Sequence, residues 1–350
     1  MTEQQRPRRG SAAPLAAVLV AGAMASGILG AESAAAPASY AERPEVRVFI
    51  DEMVVEHGFD PRSLRRLFSQ VRYQPQVIEA ISRPVVSPPK WYEFAPRFFA
   101  PERVDAGVAF WRAHDATLAR AEQDFGVAPE IVVAIIGVET YYGRYPGKYR
   151  VIDALTTLAF DYPRRAEFFR GELKQFLLLT RERDMSPFEP KGSYAGAMGL
   201  PQFMPGSMRR YALDYDFDGS IDLAADADDA IGSVANYLLR HGWQRGQPLM
   251  VPALIEEDAK DAALARLGDG VSERRALSDW EQEGVDAFEL PGDLAPGPVG
   301  LLMLEEDGGP SFWIVFNNWF VVTTYNRSRL YASAVAQLAQ VLKTAVEAAR

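Results

Sequence analysis

The chain has 350 residues, 48% hydrophobic and 11% aromatic, which is enough apolar matter for one large or two to three small domains. Its formal net charge is −10 and no basic patch interleaved with aromatics stands out, which makes it a poor nucleic-acid binder, and no nucleic acid is expected as a partner. With no cysteine there are no disulfides, thiolate catalysis, Cys-bound zinc or lipidation at cysteine, and His57, His114 and His241 lack any ligand spacing.

The first 38 residues read as an export signal. Arg6, Arg8 and Arg9 precede a small and apolar run from Ala12 to Leu29, followed by Ala34-Ala35-Ala36 and Ala36-Pro37-Ala38 as cleavage sites. The run approaches the length of a membrane span, so the segment is either cleaved or kept as an inner-membrane anchor. A helix is expected from Val46 to His57, a turn over Gly58 to Pro61, and a short helix from Ser63. Pro75 and Pro84 to Pro89 are read as breaks, and Trp91 to Phe99 is dense in aromatics. Ala106 to Phe125 has helical spacing of Val108, Ala109, Trp111, Leu118 and Ala121. Gly126 to Pro129 then separates it from an apolar helix, with proline as the start signal.

Ile152 to Leu158 and Arg165 to Thr180 are expected to be helical, Pro187 to Gly206 loop-like, and Ala230 to His241 a helix closed by Gly242. From Pro248 the texture changes: Leu301 to Leu304 and Phe312 to Val322 read as strands, with turns at Gly292, Pro296 to Pro298 and Gly308-Gly309. Asn326 onward returns to helix.

Three segments carry chemistry. Glu139 ends the apolar run Ile131 to Val138 and precedes Thr140-Tyr141-Tyr142-Gly143. A carboxylate in that setting is poorly solvated, which raises its pKa and suits it to general acid work. The segment Lys191 to Pro205 combines three glycines with polar Ser193 and Gln202 and apolar Tyr194, Met198 and Phe203. Stacking surface with a few fixed polar groups suits a sugar ring and its acetamido group. Asp214, Asp216, Asp218, Ser220 and Asp222, with Gly219 at the sixth position, match the first nine positions of an EF-hand loop and suit calcium. The twelfth-position Glu is replaced by Ala225.

Glu-Thr-x-x-Gly from Glu139, followed by Ser193-x-Ala-x-Gly-x-Met-Gly-x-x-Gln-Phe-Met-Pro, resembles the membrane-bound lytic murein transglycosylase B family of lysozyme-like enzymes. The likeness runs from about Trp91 to Leu338 through Asp153 to Leu158, Tyr162 to Phe169, Asp229 to Tyr237, His241-Gly242-Trp243 and Tyr325-Asn326. It implies cleavage of the β-1,4 bond between N-acetylmuramic acid and N-acetylglucosamine without water. One glutamate, Glu139, protonates the leaving oxygen and then acts as base on the muramic C6 hydroxyl, closing a 1,6-anhydro ring. By the same resemblance Ser193, Met198, Gln202, Tyr237, Tyr325, Asn326 and Tyr331 bind substrate. Asp229 closes the calcium loop with Asp214, Asp216, Asp218 and Ser220, against Asp226 and Asp228 as competitors. Phe94 stands where the family has a tyrosine, Thr324 where a basic residue precedes Tyr-Asn, and Gly206 where Ser is common. No second carboxylate stands near the motifs; Asp153 and Asp161 sit in structural contexts.

The fold expected is mainly α (α+β), a lysozyme-like helical core with a small β-containing insertion before the C-terminal helix. The expected division is a signal at 1–38, an N-terminal helical segment at 39–105, a catalytic core with the EF-hand-like loop at 106–247, a β-containing subdomain at 248–322, and a return to the core at 323–350. The expected function is a periplasmic lytic transglycosylase. It needs no cofactor for catalysis, carries a structural calcium ion, acts as a monomer on peptidoglycan glycan strands, and has wall-synthesis proteins as candidate partners. The alternatives are a hydrolytic muramidase and an inactive peptidoglycan-binding scaffold.

Overall fold

The computed structural model describes residues 39–83, 89–290, 294 and 297–349. The export signal at 1–38 and the breaks at Pro84 to Pro88, Gly292 and Pro296 lie outside them.

The N-terminal segment is helical: α1 (Pro44–His57), α2 (Pro61–Phe68), α3 (Pro75–Ser82) and α4 (Trp91–Phe94). Pro75 begins a helix rather than breaking the chain. Proline fits the first helical turn, where its missing N–H leaves no bond unmade. The expected single helix over Ala106 to Phe125 is two, α5 (Pro101–Ala113) and α6 (Asp115–Phe125), parted at His114, whose φ of −122° is not helical. The core continues through α7 (Pro129–Thr140), β1 (Tyr149–Arg150), α8 (Val151–Asp161), α9 (Ala166–Glu182), β2 (Lys191–Gly192), α10 (Pro205–Tyr211) and α11 (Ala227–Arg240).

Helix α7 is buried on all sides from Ile131 to Val138, because it is the element around which α5, α6, α11 and the C-terminal helix pack. Its close contacts depend on two glycines. A Cβ at Gly137, or at Gly107 on α5, would collide with the ring and hydroxyl of Tyr142, so the ring fills the space both leave. Overpacking of this kind costs about 1–3 kcal/mol.

The remaining elements are β3 (Met250–Ile255), α12 (Lys260–Ala265), α13 (Leu277–Glu281), β4 (Val285–Ala287), β5 (Gly300–Glu306), β6 (Gly309–Val315), α14 (Asn317–Tyr325) and α15 (Arg329–Ala348). The four strands form an antiparallel sheet in the order β4-β3-β6-β5. Alternate residues of β6 feed two cores: Trp313 and Val315 face the main helical core, while Phe312 and Ile314 join a small separate one around Trp280. The period of two makes the sheet a partition between the two cores. The strand expected over Phe312 to Val322 therefore stops at Val315, and Asn317 to Tyr325 is helical. The side chain of Asn318 forces this change. It accepts from the Gln244 amide and donates to the carbonyls of Gln244 and Gln247, while Trp319, Val321 and Val322 are buried.

Candidate active site

Glu139 lies in the last turn of α7. It keeps partial access to solvent, yet protein surrounds its carboxyl group. Burial raises its pKa from 4.5 to about 7, against a smaller lowering by the hydrogen bond from Tyr331. The Tyr331 hydroxyl donates to Glu139 Oε1 at 2.6 Å. That bond occupies one oxygen and leaves Oε2 to carry the transferable proton.

The position of Tyr331 follows from a helix cap. Ser328 caps α15, accepting from the amide of Tyr331 three residues on, and α15 packs along α7. Tyr331 is 2% exposed, and burial beside Glu139 pushes its own pKa well up, so it stays a donor.

Thr140, the second residue of the Glu-Thr motif, ties α7 to the glycine-rich segment. Its hydroxyl lies 3.0 Å from the Leu200 carbonyl and accepts from the Gly143 amide at 3.1 Å. That role was absent from the sequence reading, although the residue is part of the motif. In the segment itself, Ser193 Oγ accepts from the Ala197 amide and closes a turn. Gln202 has φ +51° and donates its side-chain amide to the carbonyls of Gly199 and Pro146, which leaves Oε1 uncommitted by these bonds. The glycines approach protein rather than an open space: a Cβ at Gly196 would meet Leu155, and one at Gly199 the Leu223 carbonyl. Met198 is 5% exposed, with its main chain paired to Phe203, so its side chain belongs to the core cluster.

The expected tyrosines do come together. Tyr237 and Tyr325 lie 4.9 Å apart between ring centroids, and Tyr325 stacks on Tyr331 at 6.4 Å and 13°. Tyr237 donates to the Thr324 carbonyl, and Tyr325 to that of Pro201, so their hydroxyls brace α11, α14 and the glycine-rich segment. Asn326 is buried at the end of α14 and accepts from the Ser328 amide. Trp91 is also buried, whereas Tyr92 and Phe94 keep partial exposure.

The two aspartates weighed as a second carboxylate are committed elsewhere. Asp153 accepts from Arg150, the Arg72 amide and Gln74, and Asp161 from Tyr40 and Arg43.

A match to the transglycosylase SLT domain covers residues 41–340. The chain belongs to this family. It is 40% identical over 315 residues to membrane-bound lytic murein transglycosylase B of Escherichia coli (strain K12), covering 87% of this chain and 84% of that protein. The crystal structure of soluble lytic transglycosylase SltB1 from Pseudomonas aeruginosa superposes with a TM-score of 0.81 at 44% identity, over 86% of this chain and 99% of the other. The Escherichia coli lytic transglycosylase Slt35 in complex with calcium superposes with a TM-score of 0.80 at 40% identity, over 88% and 95%. The lysozyme-like helical architecture is thus shared with lytic transglycosylases.

In this family member the acidic loop gathers Asp214, Asp216 and Asp229, one carboxylate oxygen of each lying within 4.8 Å of the others. Asp214 Oδ1 is buried without a hydrogen-bond partner among the described residues, which fits a cation-ligating oxygen. Asp229 is 1% exposed, and burial raises its pKa, with Asp226 and Asp216 adding to the rise. The competing closers have other tasks: Asp226 caps α11 and Asp228 pairs with His114. Asp218 turns its Oδ1 to the amide and hydroxyl of Ser220 and stands outside the cluster of three carboxylates.

Removing the Tyr331 hydroxyl removes the interaction that lowers the Glu139 pKa. In Tyr331→Phe, the limb of kcat/KM that falls as Glu139 loses its proton near pH 7 is expected to move to higher pH. A pH–rate profile on purified protein checks this, and an unmoved limb contradicts the coupling.

Proposed function

We propose that this enzyme cleaves the β-1,4 bond between N-acetylmuramic acid and N-acetylglucosamine in peptidoglycan, and that it leaves a 1,6-anhydro-N-acetylmuramic acid end. The observation that carries the reading is the setting of Glu139, at the end of a buried helix with its carboxyl enclosed, its pKa raised by burial to about 7 and partial access to solvent retained. A retaining glycosidase uses a second carboxylate about 5 Å away. Here Asp153 and Asp161 are tied into ion pairs, so the substrate's own acetamido group takes that part. Glu139 Oε2 gives its proton to the glycosidic oxygen as the bond breaks. The resulting carboxylate then takes the proton of the C6 hydroxyl as O6 attacks C1, and the acid is regenerated.

Ser193, Gln202, Tyr237, Tyr325 and Asn326 are assigned to sugar contacts around Glu139, with Met198 shaping the floor from the core side. Support comes from the meeting of Tyr325 and Tyr331 beside Glu139, and from the Gln202 Oε1 left uncommitted by its amide bonds. Calcium is assigned to Asp214, Asp216 and Asp229 in a structural role, anchoring the start of α11. The enzyme works as a monomer in the periplasm after export through residues 1–38. Among the described residues no helix is long and apolar enough to cross a membrane. The division into 39–105, 106–247, 248–322 and 323–350 is retained as the working plan of the molecule.

Mass spectrometry of digested peptidoglycan tests the reaction. Wild type is expected to give products one water lighter than hydrolysed ones, and Glu139→Gln none. Reducing-end products would instead establish a muramidase, and binding without cleavage a scaffold. For the metal, calcium at 100 times its dissociation constant should add about 2.7 kcal/mol to wild-type stability. Thermal unfolding with calcium and with a chelator should show a gain in Tm that Asp214→Asn loses; an equal Tm in both conditions contradicts the assignment.

A further inference from the structure

The amide of Gly206 is buried at the start of α10, where the glycine-rich segment ends. In that first turn Pro205 has no N–H, and the amides of Ser207 and Met208 both donate to the Met204 carbonyl. Met204 supplies no side-chain cap. The Gly206 amide is thus a donor that the helix itself does not satisfy, and a buried amide left unpaired is costly. Its partner comes from another helix: Glu172 Oε2, on α9, accepts from it at 2.8 Å. The two residues lie 34 positions apart, so nothing local in the sequence places this carboxylate beside the motif.

Glu172 keeps partial access to solvent, while protein encloses most of its carboxyl group. Burial raises its pKa, and the Gly206 amide and then Arg210 oppose the rise. Arg210, on α10, makes no ion pair with it among the described residues. The other titratable groups on the elements packed against α9 are engaged elsewhere. Arg209 of α10 holds Glu182 and Gln175, and Tyr211 packs on Tyr237. Asp153 and Asp161 of α8 are paired with Arg150 and Arg43. In the turn before α9, Arg165 lies over Phe168 and Phe169, and Arg164 is exposed. On α9 itself the residues one turn away from Glu172 are Phe168, Phe169, Gln175 and Phe176, none of them charged.

Gln202 stands four positions before Gly206. Between them Phe203 pairs its main chain with Met198 and packs its ring on Tyr237 and Tyr325. Thr140 ties the segment to α7 at Leu200, and Glu172 ties its other end to α9 at Gly206. Gln202, between the two ties, holds φ +51°, a conformation that the surrounding structure has to impose. We propose that Glu172 is a positioning residue for Gln202: its carboxylate fixes the end of the glycine-rich segment through the Gly206 amide, and protonation of the carboxylate loosens that hold. The neutral acid accepts more weakly than the carboxylate. This rests on the assignment of Gln202 to sugar contact. It also gives the enzyme a pH limb that the chemistry of Glu139 does not supply. Glu139 must start protonated, so on its own it limits activity only as pH rises. The loss of activity as pH falls belongs to Glu172, and burial places it above the ordinary carboxylate value.

Profiles of kcat/KM against pH on solubilised peptidoglycan test this. Wild type should fall away on both sides of its optimum. Glu172→Gln should keep the alkaline limb near 7, lose the acid limb, and cost about fivefold at the optimum, because an amide oxygen accepts more weakly than a carboxylate. Gly206→Ser leaves Glu172 in place, and the backbone there is outside the left-handed region, so serine is unstrained. Its Cβ would lie 3.1 Å from Oε1 and 3.3 Å from Oε2 of Glu172, so the carboxylate gives way slightly and the new hydroxyl donates to it. A donor to the charged form lowers the pKa, and the acid limb should move to lower pH. In a Gln202→Ala background Glu172→Gln should cost little more. If Glu172→Gln does not fold, Gly206→Ser carries the test alone. A uniform loss with the acid limb unmoved in either variant, a wild type without an acid limb, or additive losses in the double variant overturns the proposal. Failure of the transglycosylase reading shows separately, as hydrolysed products from the active enzyme.

Discussion

The hydrogen bond between Tyr331 and Glu139 concentrates the logic of this fold. Glu139 belongs to a helix that has no polar face, and Tyr331 to the C-terminal helix that packs along it. The bond joins residues 192 positions apart, so the whole chain must fold before it forms. Burial raises the acid to about 7, and the tyrosine keeps it from rising further. The elements between them serve this meeting. The sheet inserts its own small core outside the helices, and α14 brings the chain back with Tyr325 stacked on Tyr331.

The raised pKa has a cost in stability. The unfolded chain releases the Glu139 proton near 4.5, while the folded chain holds it to about 7. The native state therefore binds more protons across that window, and its stability falls as pH rises through it, by at most ~3 kcal/mol. The fold carries a group that weakens it at neutral pH because that group is a good acid there. Asp153, also buried, is held by Arg150, the Arg72 amide and the Gln74 side chain.

Much of this was legible in local pattern. The apolar run ending in Glu139, the Gly-rich segment and the spacing of the acidic loop each announced themselves within fifteen residues. Asp229 as the loop's closing residue was indicated by resemblance, and its pairing with the amides of Tyr215 and Asp222 gives it a physical basis. The features missed depend on distant partners. Val321, Val322, Thr323 and Thr324 have strand propensity, but burial of Trp319 and the bonds of Asn318 impose a helix. Met198 looked like contact surface because its main-chain pairing with Phe203 is not visible in composition.

Direct titration of Glu139 tests the central claim most closely. Carbon-13 NMR of the side-chain carboxyl carbons, with Glu139→Gln to assign the resonance, should show Glu139 titrating near 7, well above the ordinary value of 4.5. A Glu139 resonance that titrates at the ordinary value would contradict the account. The acid would then be ionised at neutral pH, and neither the apolar helix nor Tyr331 would explain how it protonates a glycosidic oxygen.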